Sequence, residues 1–254
     1  MPIDVIMPAF NAARFIRAAI ESLLRERDAV DMAILVVDDG STDGTREIVK
    51  ALATQFPQVR LLRNLKKGIA SARNAGLENR REEARFIAFL DADDMSCPGR
   101  LARQRSLFMQ DETLDALYGR VQVFSVFDEV TLAPRVGSKT KIVRGPHLQS
   151  AMYRPRVIDK VGPFDESFPQ GEDVDYVLRV IESGARLVLD DGIAAYYRRH
   201  DANVTLNTQE MQREFRRATL KWAVRNRMKK LGGLPPVFAE MFIPHDEIEE
   251  EFAG

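Results

Sequence analysis

The stretch RFIAFLDADDM, residues 85–95, decides the fold, because an apolar run ends there directly in a cluster of carboxylates. The run favours a buried strand, and Asp91, Asp93 and Asp94 follow at its carboxyl end. Carboxylates crowded in this way raise one another's pKa, so a cluster that must stay ionised needs a cation or hydrogen-bond donors opposite it. The sequence therefore predicts a ligand site at the end of this strand.

Three further apolar runs come before this one, and each is followed by a segment with apolar residues at helical spacing. The runs are IDVIM at residues 3–7, AILVV at 33–37 and VRLL at 59–62. Asn11 and Ser41 follow the first two runs and are predicted to cap the helices after them. The alternation predicts an α/β fold with a Rossmann-like, mostly parallel central sheet and helices on both faces.

Polar residues gather at the carboxyl ends of three of these strands. The first strand runs into PAFN at residues 8–11, the second into DDGS at 38–41 and the fourth into DADD at 91–94. Ligands of such sheets bind beyond these ends, so the three segments are expected to line one crevice. A helix cap explains DDGS alone about as well, but three such segments together favour a binding site.

Composition excludes several classes of protein. The chain has 254 residues, of which 45% are hydrophobic and 30% charged, as expected for a globular protein with a core of its own. Its formal net charge of -1 gives no electrostatic case for nucleic acid as a partner. Cys97 is the only cysteine, which excludes an intrachain disulfide. The amino terminus does not resemble a signal peptide and no apolar run has membrane-spanning length, so the expected location is the cytoplasm.

A second acidic group, GEDVD at residues 171–175, opens a predicted helix whose apolar positions are Val177, Leu178 and Ile181. The helix dipole favours carboxylates at the amino end, so a charged first turn is one interpretation. A carboxylate with a chemical role is the other, and these residues alone leave both open.

Five motifs in this order make the chain resemble the family 2 glycosyltransferases, which have the GT-A fold. The motifs are VIMPAFN, VVDDGSTDGT, GIASARNAG, FLDADD and GPFDESFPQGEDVDYVLR, and the resemblance covers roughly residues 3–200. It implies transfer of a sugar from a nucleotide diphosphate donor to an acceptor hydroxyl, usually with inversion, using Mn²⁺ or Mg²⁺.

The resemblance also implies how the chain is divided. Residues 1–205 are expected to form the GT-A catalytic domain, with a nucleotide-sugar half at about 1–95 and an acceptor and base half at about 96–205. Residues 206–254 are expected to add a C-terminal helical extension and an acidic tail.

Individual residues take roles from the same resemblance. Asp91 and Asp93 form the DxD pair, with Asp93 as the direct metal ligand, and His200 in YYRRH matches a histidine near the metal and the diphosphate. The alternative for His200 is a surface histidine. Asp173 matches the catalytic base. The implied contacts of the nucleotide sugar are Pro8, Ala9, Phe10, Asp39, Arg73, Asp91, Ala92, Asp93 and Glu172, and the implied metal ligands are Asp91, Asp93 and His200.

The chemistry of such a transfer agrees with these assignments. A departing nucleotide diphosphate builds up negative charge, which a hard divalent cation held by carboxylates neutralises. An acceptor hydroxyl is a poor nucleophile at neutral pH, so a separate carboxylate, here Asp173, must take its proton. The cluster at residues 91–94 is therefore expected to face a cation that carries a diphosphate.

Donor and acceptor stay open at this point. The resemblance favours a UDP-sugar and a glycan or lipid-linked acceptor, but Ala12-Ala13-Arg14 stands where many members have an acidic residue. A nucleotidyltransferase is one alternative, although the glycine-rich, basic loop that it needs after the first strand is missing. A sugar-nucleotide-binding protein without turnover is another, although the DxD and ED pairs are intact.

The segment MQREFRRATLKWAVRNRMKK, residues 211–230, is rich in basic residues and is predicted to be helical. One interpretation packs one face of this helix on the catalytic domain and leaves its basic face in water. The other places the helix against anionic lipid, because polybasic helices with Trp and Phe suit that interface. The second interpretation makes a cytoplasmic enzyme peripheral at the inner face of the membrane.

Overall fold

The computed structural model of the chain describes residues 1–145, 147–201, 203 and 208–229. The helices are α1 (Ile16–Leu24), α2 (Thr45–Gln55), α3 (Ile69–Glu78), α4 (Arg100–Gln110), α5 (Pro155–Val161), α6 (Glu172–Glu182) and α7 (Thr208–Lys229). The strands are β1 (Ile3–Ala9), β2 (Met32–Asp38), β3 (Val59–Arg63), β4 (Phe86–Phe89), β5 (Met95–Ser96), β6 (Ala116–Phe124), β7 (Phe127–Asp128), β8 (Ala133–Pro134), β9 (Thr140–Val143), β10 (Ala151–Tyr153) and β11 (Leu187–Arg198).

The strands form one mixed sheet in the order β3-β2-β1-β4-β10-β6-β11-β5, with β9 also paired to β6 and with β7 and β8 as a separate hairpin. From β3 to β4 the pairings are parallel, as the alternating sequence predicts. Beyond β4, strand β10 is antiparallel to both of its neighbours, whereas β11 runs parallel to β6. The predicted α/β class is confirmed, and the parallel pattern describes the amino-terminal half of the sheet.

Helices cover both faces of the sheet, as predicted. In β1, Ile3, Val5 and Met7 pack in one core with α1, α2 and α4, while Ile6 packs in a second core with α3, α5 and α6. A strand that is apolar along its whole length is typical of a sheet buried on both faces. At Gly76, helix α3 comes so close to β1 that an added Cβ would lie 2.4 Å from Cγ2 of Ile6. The side chains of α3 are therefore held at a fixed height above the sheet.

The two predicted helix caps are wrong. Helix α1 begins at Ile16 rather than directly after Asn11, and α2 begins at Thr45 after Gly44 rather than after Ser41. The reason is that both side chains join the loops that follow β1 and β2. The Asn11 Oδ1 accepts a hydrogen bond of 2.9 Å from the Thr42 N–H, and the Ser41 Oγ accepts one of 3.0 Å from the Asn11 N–H. These contacts tie the carboxyl ends of two neighbouring strands together.

Helix α7 packs one face on α6, as the first interpretation of the C-terminal segment predicts. Ala218 is fully buried there beside Leu178 and Phe168, and Trp222 packs against the same cluster. Ion pairs join the helix to the domain, among them one between Lys221 and Asp165. The predicted acidic tail lies outside the described residues.

None of the helices that the structure describes is both long and apolar enough to cross a membrane.

The ion pair at Asp165 predicts a pH-dependent contribution to stability. Partial burial would raise the pKa of Asp165, but hydrogen bonds from Lys221 and Ser167 hold it below its ordinary value of 3.8. A depressed carboxyl pKa stabilises the fold above the unfolded value and loses that effect as the pH falls through the folded value. We expect Asp165→Asn to lower the free energy of unfolding at pH 7, with a difference from the wild type that shrinks below about pH 4.

Urea unfolding at several pH values checks this expectation. Asp28→Asn is the control, because the Asp28 side chain is 89% exposed and its pairing with Arg27 at 3.9 Å is a surface contact. A deficit in Asp165→Asn that stayed constant from pH 7 to pH 3 would contradict the ion-pair explanation.

Candidate functional site

The carboxyl ends of β1 and β2 lie side by side and carry the predicted nucleotide-side residues. Ala9 is in register with Asp38, and its carbonyl accepts a hydrogen bond of 2.8 Å from the Asp39 N–H. Pro8 and Ala9 are buried in β1, whereas the Phe10 ring directly after them is 60% exposed. The structure thus brings Pro8 to Phe10 and Asp39 together, with one free aromatic face beside one carboxylate.

Asp39 is held by a network that the sequence pattern did not predict. Its Oδ1 accepts a hydrogen bond of 2.6 Å from Asn64 Nδ2, and its Oδ2 accepts one of 2.9 Å from the Gly68 N–H. Asn64 follows β3, and Gly68 precedes α3. The carboxylate therefore fixes the loop that joins the third strand to α3, and each oxygen keeps a further lone pair for a ligand.

The end of β4 divides its carboxylates between different partners. Asp91 Oδ1 accepts a hydrogen bond of 2.9 Å from Arg73 Nη2, while Asp93 Oδ2 lies 3.0 Å from His200 Nε2. Ala92, which lies between them, is buried in the same core as Ile3, Val5 and Met7 of β1. The structure thus joins Asp93 and His200, as predicted, and pairs Asp91 with Arg73.

His200 is a positioned side chain and not a surface histidine, since only 8% of it is exposed. Its ring lies 4.3 Å from the ring of Phe15, and its backbone N–H donates a 2.6 Å hydrogen bond to Asn203 Oδ1. Asp94 fixes the strand that leads to it, because its Oδ1 accepts a 3.0 Å hydrogen bond from the Arg198 N–H. No sequence signal predicts that Phe15, Asp94 and Asn203 position His200.

Asp94 differs chemically from the other carboxylates of DADD. It is fully buried, and its Oδ2 has no hydrogen-bond partner among the residues that the structure describes. Burial, together with the charges of Asp93 and Asp91, raises its pKa well above the ordinary value. The same surroundings favour its neutral form. Its hydrogen bond from the Arg198 N–H holds the end of β11 in place.

Arg73 connects the two halves of the site. Its side chain, only 3% exposed, forms an ion pair with Glu172 at the start of α6 and another with Asp91 at the end of β4. Burial would lower its pKa, but the carboxylates of Glu172, Asp91 and Asp173 raise it above the ordinary value, so the guanidinium stays charged. Burial raises the pKa of Glu172 to about 7, against the opposing effect of Arg73.

Asn74, the next residue of the same ARN motif, secures the turn that precedes α6. Its Oδ1 accepts a 2.7 Å hydrogen bond from the Phe164 N–H, and its Nδ2 donates to the Phe164 carbonyl at 3.0 Å and to Glu166 at 3.1 Å. The family resemblance assigns a role in this motif to Arg73 alone. Its neighbouring amide is what holds the loop of the predicted base against α3.

The first turn of α6 carries three carboxylates with different surroundings. Glu172 pairs with Arg73, and Asp175 pairs with Arg179 and Arg225. Asp173, which is partly exposed, forms no ion pair with a basic side chain in the part of the chain that the structure describes. Its charge acts on both Arg73 and Asp91, which puts it beside the crevice. Of the three, Asp173 is the one whose carboxylate has no basic partner among the described residues, and its Oδ1 accepts a hydrogen bond of 2.8 Å from the Val174 N–H.

The donor atoms at the crevice fit a divalent cation whose coordination shell is completed by the substrate. Within the described ranges, no group of three His, Cys, Asp or Glu side chains gathers as a ready-made ligand set. Of the predicted ligands, Asp93 and His200 lie side by side and Asp91 pairs with Arg73, and the set of three stays a prediction. Mg²⁺ is commonly bound through one or two carboxylates with substrate phosphates completing the shell, and carboxylates also suit Mn²⁺. One carboxylate and one imidazole would leave coordination positions of the cation open for substrate phosphates.

A comparison with known families agrees with this geometry. The sequence profile described as Glycosyl transferase family 2 matches residues 4–164, which is well over half of the chain and includes the first four motifs. The chain belongs to this family. As a member of glycosyl transferase family 2, it is a glycosyltransferase, as the five motifs predicted.

Two relatives show the kind of protein that resembles this glycosyltransferase. The UDP-Glc:alpha-D-GlcNAc-diphosphoundecaprenol beta-1,3-glucosyltransferase WfgD of Escherichia coli is 29% identical over 220 residues, 84% of this chain and 83% of that protein. The succinoglycan biosynthesis protein ExoA of Rhizobium meliloti is 28% identical over 76% of this chain and 62% of that protein.

Solved structures confirm the predicted GT-A fold. The mannosyltransferase PcManGT from Pyrobaculum calidifontis, in complex with GDP-Man and Mn²⁺, has a TM-score of 0.68 at 20% identity, over 92% of this chain and 66% of that one. TarS of S. aureus, in complex with UDP-GlcNAc, has a TM-score of 0.63 at 18% identity, over 82% of this chain and 61% of that one. The glycosyltransferase thus spans less than two thirds of each of these chains.

The buried pair of Arg73 and Glu172 predicts strong energetic coupling. Removing one partner of a buried ion pair leaves an uncompensated charge, which costs about 3–5 kcal/mol. We expect Arg73→Gln to lower the free energy of unfolding by about that amount, and the double variant Arg73→Gln/Glu172→Gln to lose less than the sum of its single variants. Chemical denaturation of the four proteins measures the coupling.

Arg80→Gln is the matched control, because Arg80 pairs with an Asp159 side chain that is 56% exposed. An exposed pair contributes about 0–1 kcal/mol, so this change should be small. Equal losses for Arg73→Gln and Arg80→Gln would contradict the role given to Arg73.

Proposed function

We propose that this protein is a metal-dependent, inverting glycosyltransferase that moves a sugar from a UDP-sugar to a hydroxyl of a glycan or lipid-linked acceptor. The observation that carries the proposal is that Arg73 ties the end of β4, where Asp93 lies beside His200, to the start of α6, which carries Asp173. The pair of Asp93 and His200 offers ligands for a cation, and Asp173 has no basic partner among the residues that the structure describes. These are the two components that displacement of a nucleotide diphosphate needs.

The nucleotide end of the donor is proposed to lie against Phe10 and Asp39. An exposed aromatic ring accepts a base by stacking, and a fixed carboxylate accepts hydrogen bonds from a base or ribose. Arg73, which pairs with Asp91 and Glu172, is proposed to lie near the nucleotide. The printed names of WfgD and of the TarS complex include UDP-Glc and UDP-GlcNAc, which favours a UDP-sugar.

The cation is proposed to be Mn²⁺ or Mg²⁺, held by Asp93 and His200. When bound, it supplies positive charge to the diphosphate that departs. The Mn²⁺ in the complex of PcManGT supports the choice of ion. Phe15 and Asn203 keep the imidazole in place, and Asp94 keeps the strand end in register, so the protein side of this site is preorganised.

Asp173 is proposed to be the general base. It takes the proton of the acceptor hydroxyl while the acceptor oxygen forms a bond to C1 of the sugar. The bond from C1 to the diphosphate oxygen breaks on the opposite side, and its electron pair leaves with the nucleotide diphosphate. Attack opposite to the leaving group inverts the configuration at C1. The charge on Asp173 is favoured by its place in the first turn of α6, where the helix dipole stabilises an anion.

Membership of the family favours transfer over the nucleotidyltransferase alternative. The lipid-linked form of the acceptor is the finer part of the proposal, and the diphosphoundecaprenol in the printed name of WfgD supports it. A cytoplasmic enzyme that works at the inner face of the membrane fits such an acceptor. A sugar-nucleotide-binding protein without turnover is separated from a transferase by the measurements below.

Asp93 is expected to be needed for metal-dependent donor use. Asp93→Asn keeps the shape of the side chain but removes its charge, so Mn²⁺-dependent turnover of UDP-Glc or UDP-GlcNAc should fall roughly 10²-fold or more. Release of UDP over a series of Mn²⁺ concentrations measures this. A thermal shift by UDP should also lose its dependence on Mn²⁺.

Asp159→Asn serves as the control, because Asp159 is an exposed carboxylate on α5 that pairs with Arg80. Unchanged turnover of Asp93→Asn at every metal concentration would remove Asp93 from the site.

Asp173 is expected to govern the rate of transfer rather than donor affinity. Loss of a general base costs about 10² to 10⁴ in rate, so Asp173→Asn should lose kcat by that factor and keep its affinity for UDP. Asp175→Asn tests the alternative on the same helical turn. Because Asp175 pairs with Arg179 and Arg225, this change should lower stability and leave kcat nearly intact.

Saturation kinetics and UDP titration separate these outcomes. If Asp173→Asn lost donor affinity but turned over normally at saturation, Asp173 would be a binding residue and the base would have to be sought elsewhere.

A further inference from the structure

The outer face of α7 carries a row of exposed apolar side chains. Leu220, Val224 and Met228 are 67%, 61% and 79% exposed, and their four-residue spacing puts them on one side of the helix. Single exposed apolar residues are common on protein surfaces. A row of three large ones over two turns is a surface that gains from being covered.

The row is separate from the face that packs on the catalytic domain. Ala218 is fully buried, and Trp222 packs with it against the cluster that contains Leu178. The only tryptophan of the chain therefore belongs to the inner face. Trp222, on which the membrane interpretation of the sequence relied, therefore faces the catalytic domain and not the outer surface.

The basic residues of α7 divide in the same way. Lys221 pairs with Asp165, Arg225 pairs with Asp175 and Glu182, and both pairs attach the helix to the domain. Arg213 and Arg217 pair with glutamates of α7 itself. These charges are compensated and do not attract a further anion strongly.

Arg216 and Arg227 are different, because both are exposed and neither pairs with an acid in the described part of the chain. Arg216 stands one turn before Leu220, and Arg227 stands one turn after Ala223 and beside Val224 and Met228. The uncompensated positive charge of α7 therefore lies on the same side as its apolar row.

We propose that this outer face, made of Arg216, Leu220, Val224, Arg227 and Met228, rests on an anionic lipid surface. An anionic bilayer offers in one plane both an apolar layer for the three apolar side chains and negative head groups for the two arginines. A second copy of the chain fits less well, because a symmetric contact would set the arginines against each other. The proposal concerns binding and does not rest on the proposed reaction.

Binding of α7 to a lipid surface would place the first turn of α6 close to that surface. Helix α7 packs directly on α6, and Gly171 at the start of α6 has Glu214 as its neighbour, with an added Cβ 3.4 Å from the Glu214 Cβ. A lipid surface under α7 would therefore lie within one helix layer of the turn that carries Asp173.

Co-sedimentation of the full chain with vesicles tests the proposal. The vesicles are phosphatidylcholine alone and phosphatidylcholine with phosphatidylglycerol, each at low and high salt. We expect binding to the anionic vesicles that weakens with salt, and weaker binding to the neutral ones. Arg216→Gln/Arg227→Gln should weaken the anionic binding by about 30-fold, and Leu220→Ser/Val224→Ser by at least about tenfold.

Two matched controls separate this face from general charge and hydrophobicity. Lys50→Gln/Arg85→Gln removes two exposed charges elsewhere, and Val130→Ser/Val136→Ser removes two exposed apolar side chains elsewhere. Both should bind as the wild type does, and all variants should show the same thermal unfolding and the same UDP affinity, which keeps the result distinct from the proposed transfer reaction.

Three results would overturn the proposal. They are failure to bind anionic vesicles at low salt, equal binding to neutral vesicles, and anionic binding that survives both outer-face variants in correctly folded protein.

Discussion

The buried guanidinium of Arg73 is the interaction on which the rest of the site depends. It reaches the end of β4 through Asp91 and the start of α6 through Glu172, and so it ties these two segments together. A buried ion pair adds little net stability compared with an apolar core, since desolvation offsets the attraction. The pair of Arg73 and Glu172 instead holds the start of α6 at a defined position relative to β4. Helix α3 lies close on β1 at Gly76, so the charge sits at one height above the sheet and the two halves meet there.

Identical side chains take different roles according to what surrounds them. Within DADD, Asp91 pairs with the guanidinium of Arg73, Asp93 lies beside the imidazole of His200, and Asp94 is buried and accepts a hydrogen bond from a backbone N–H. In the first turn of α6, Glu172 and Asp175 are tied to arginines, and Asp173 alone of the three is left to the crevice. Carboxyl side chains therefore serve as ion-pair partners, as a buried acceptor of a backbone N–H, and as the proposed metal ligand and base, because neighbouring charge and burial decide which contact each one favours.

The sequence predicts what depends on local periodicity and misses what depends on distant partners. The strands at residues 3–9 and 86–89 were recognisable because buried parallel strands are apolar along their length. Asn11 and Ser41 are residue types that often cap helices. Their side-chain oxygens instead accept hydrogen bonds from backbone N–H groups about thirty residues away, and no local sequence pattern reveals such contacts. Likewise, motif resemblance marks Asp93 and His200 individually, but Phe15 and Asn74 act through contacts with residues far away in the sequence. Short strands such as β10 pair antiparallel with remote partners, so the second half of the sheet was less predictable.

The sheet order also bears on how the protein is made. The parallel strands β3, β2, β1 and β4 come from a contiguous stretch that ends at Phe89, so this half meets its own partners early as the chain is synthesised. His200, by contrast, lies 107 residues after Asp93 and is carried in by β11, among the last strands to emerge. A chain that stopped before β11 would retain the parallel half of the sheet yet present a lone carboxylate where the carboxylate and imidazole pair should be. The pair of Asp93 and His200 is therefore completed late in translation, after all four strands of the parallel half have been made.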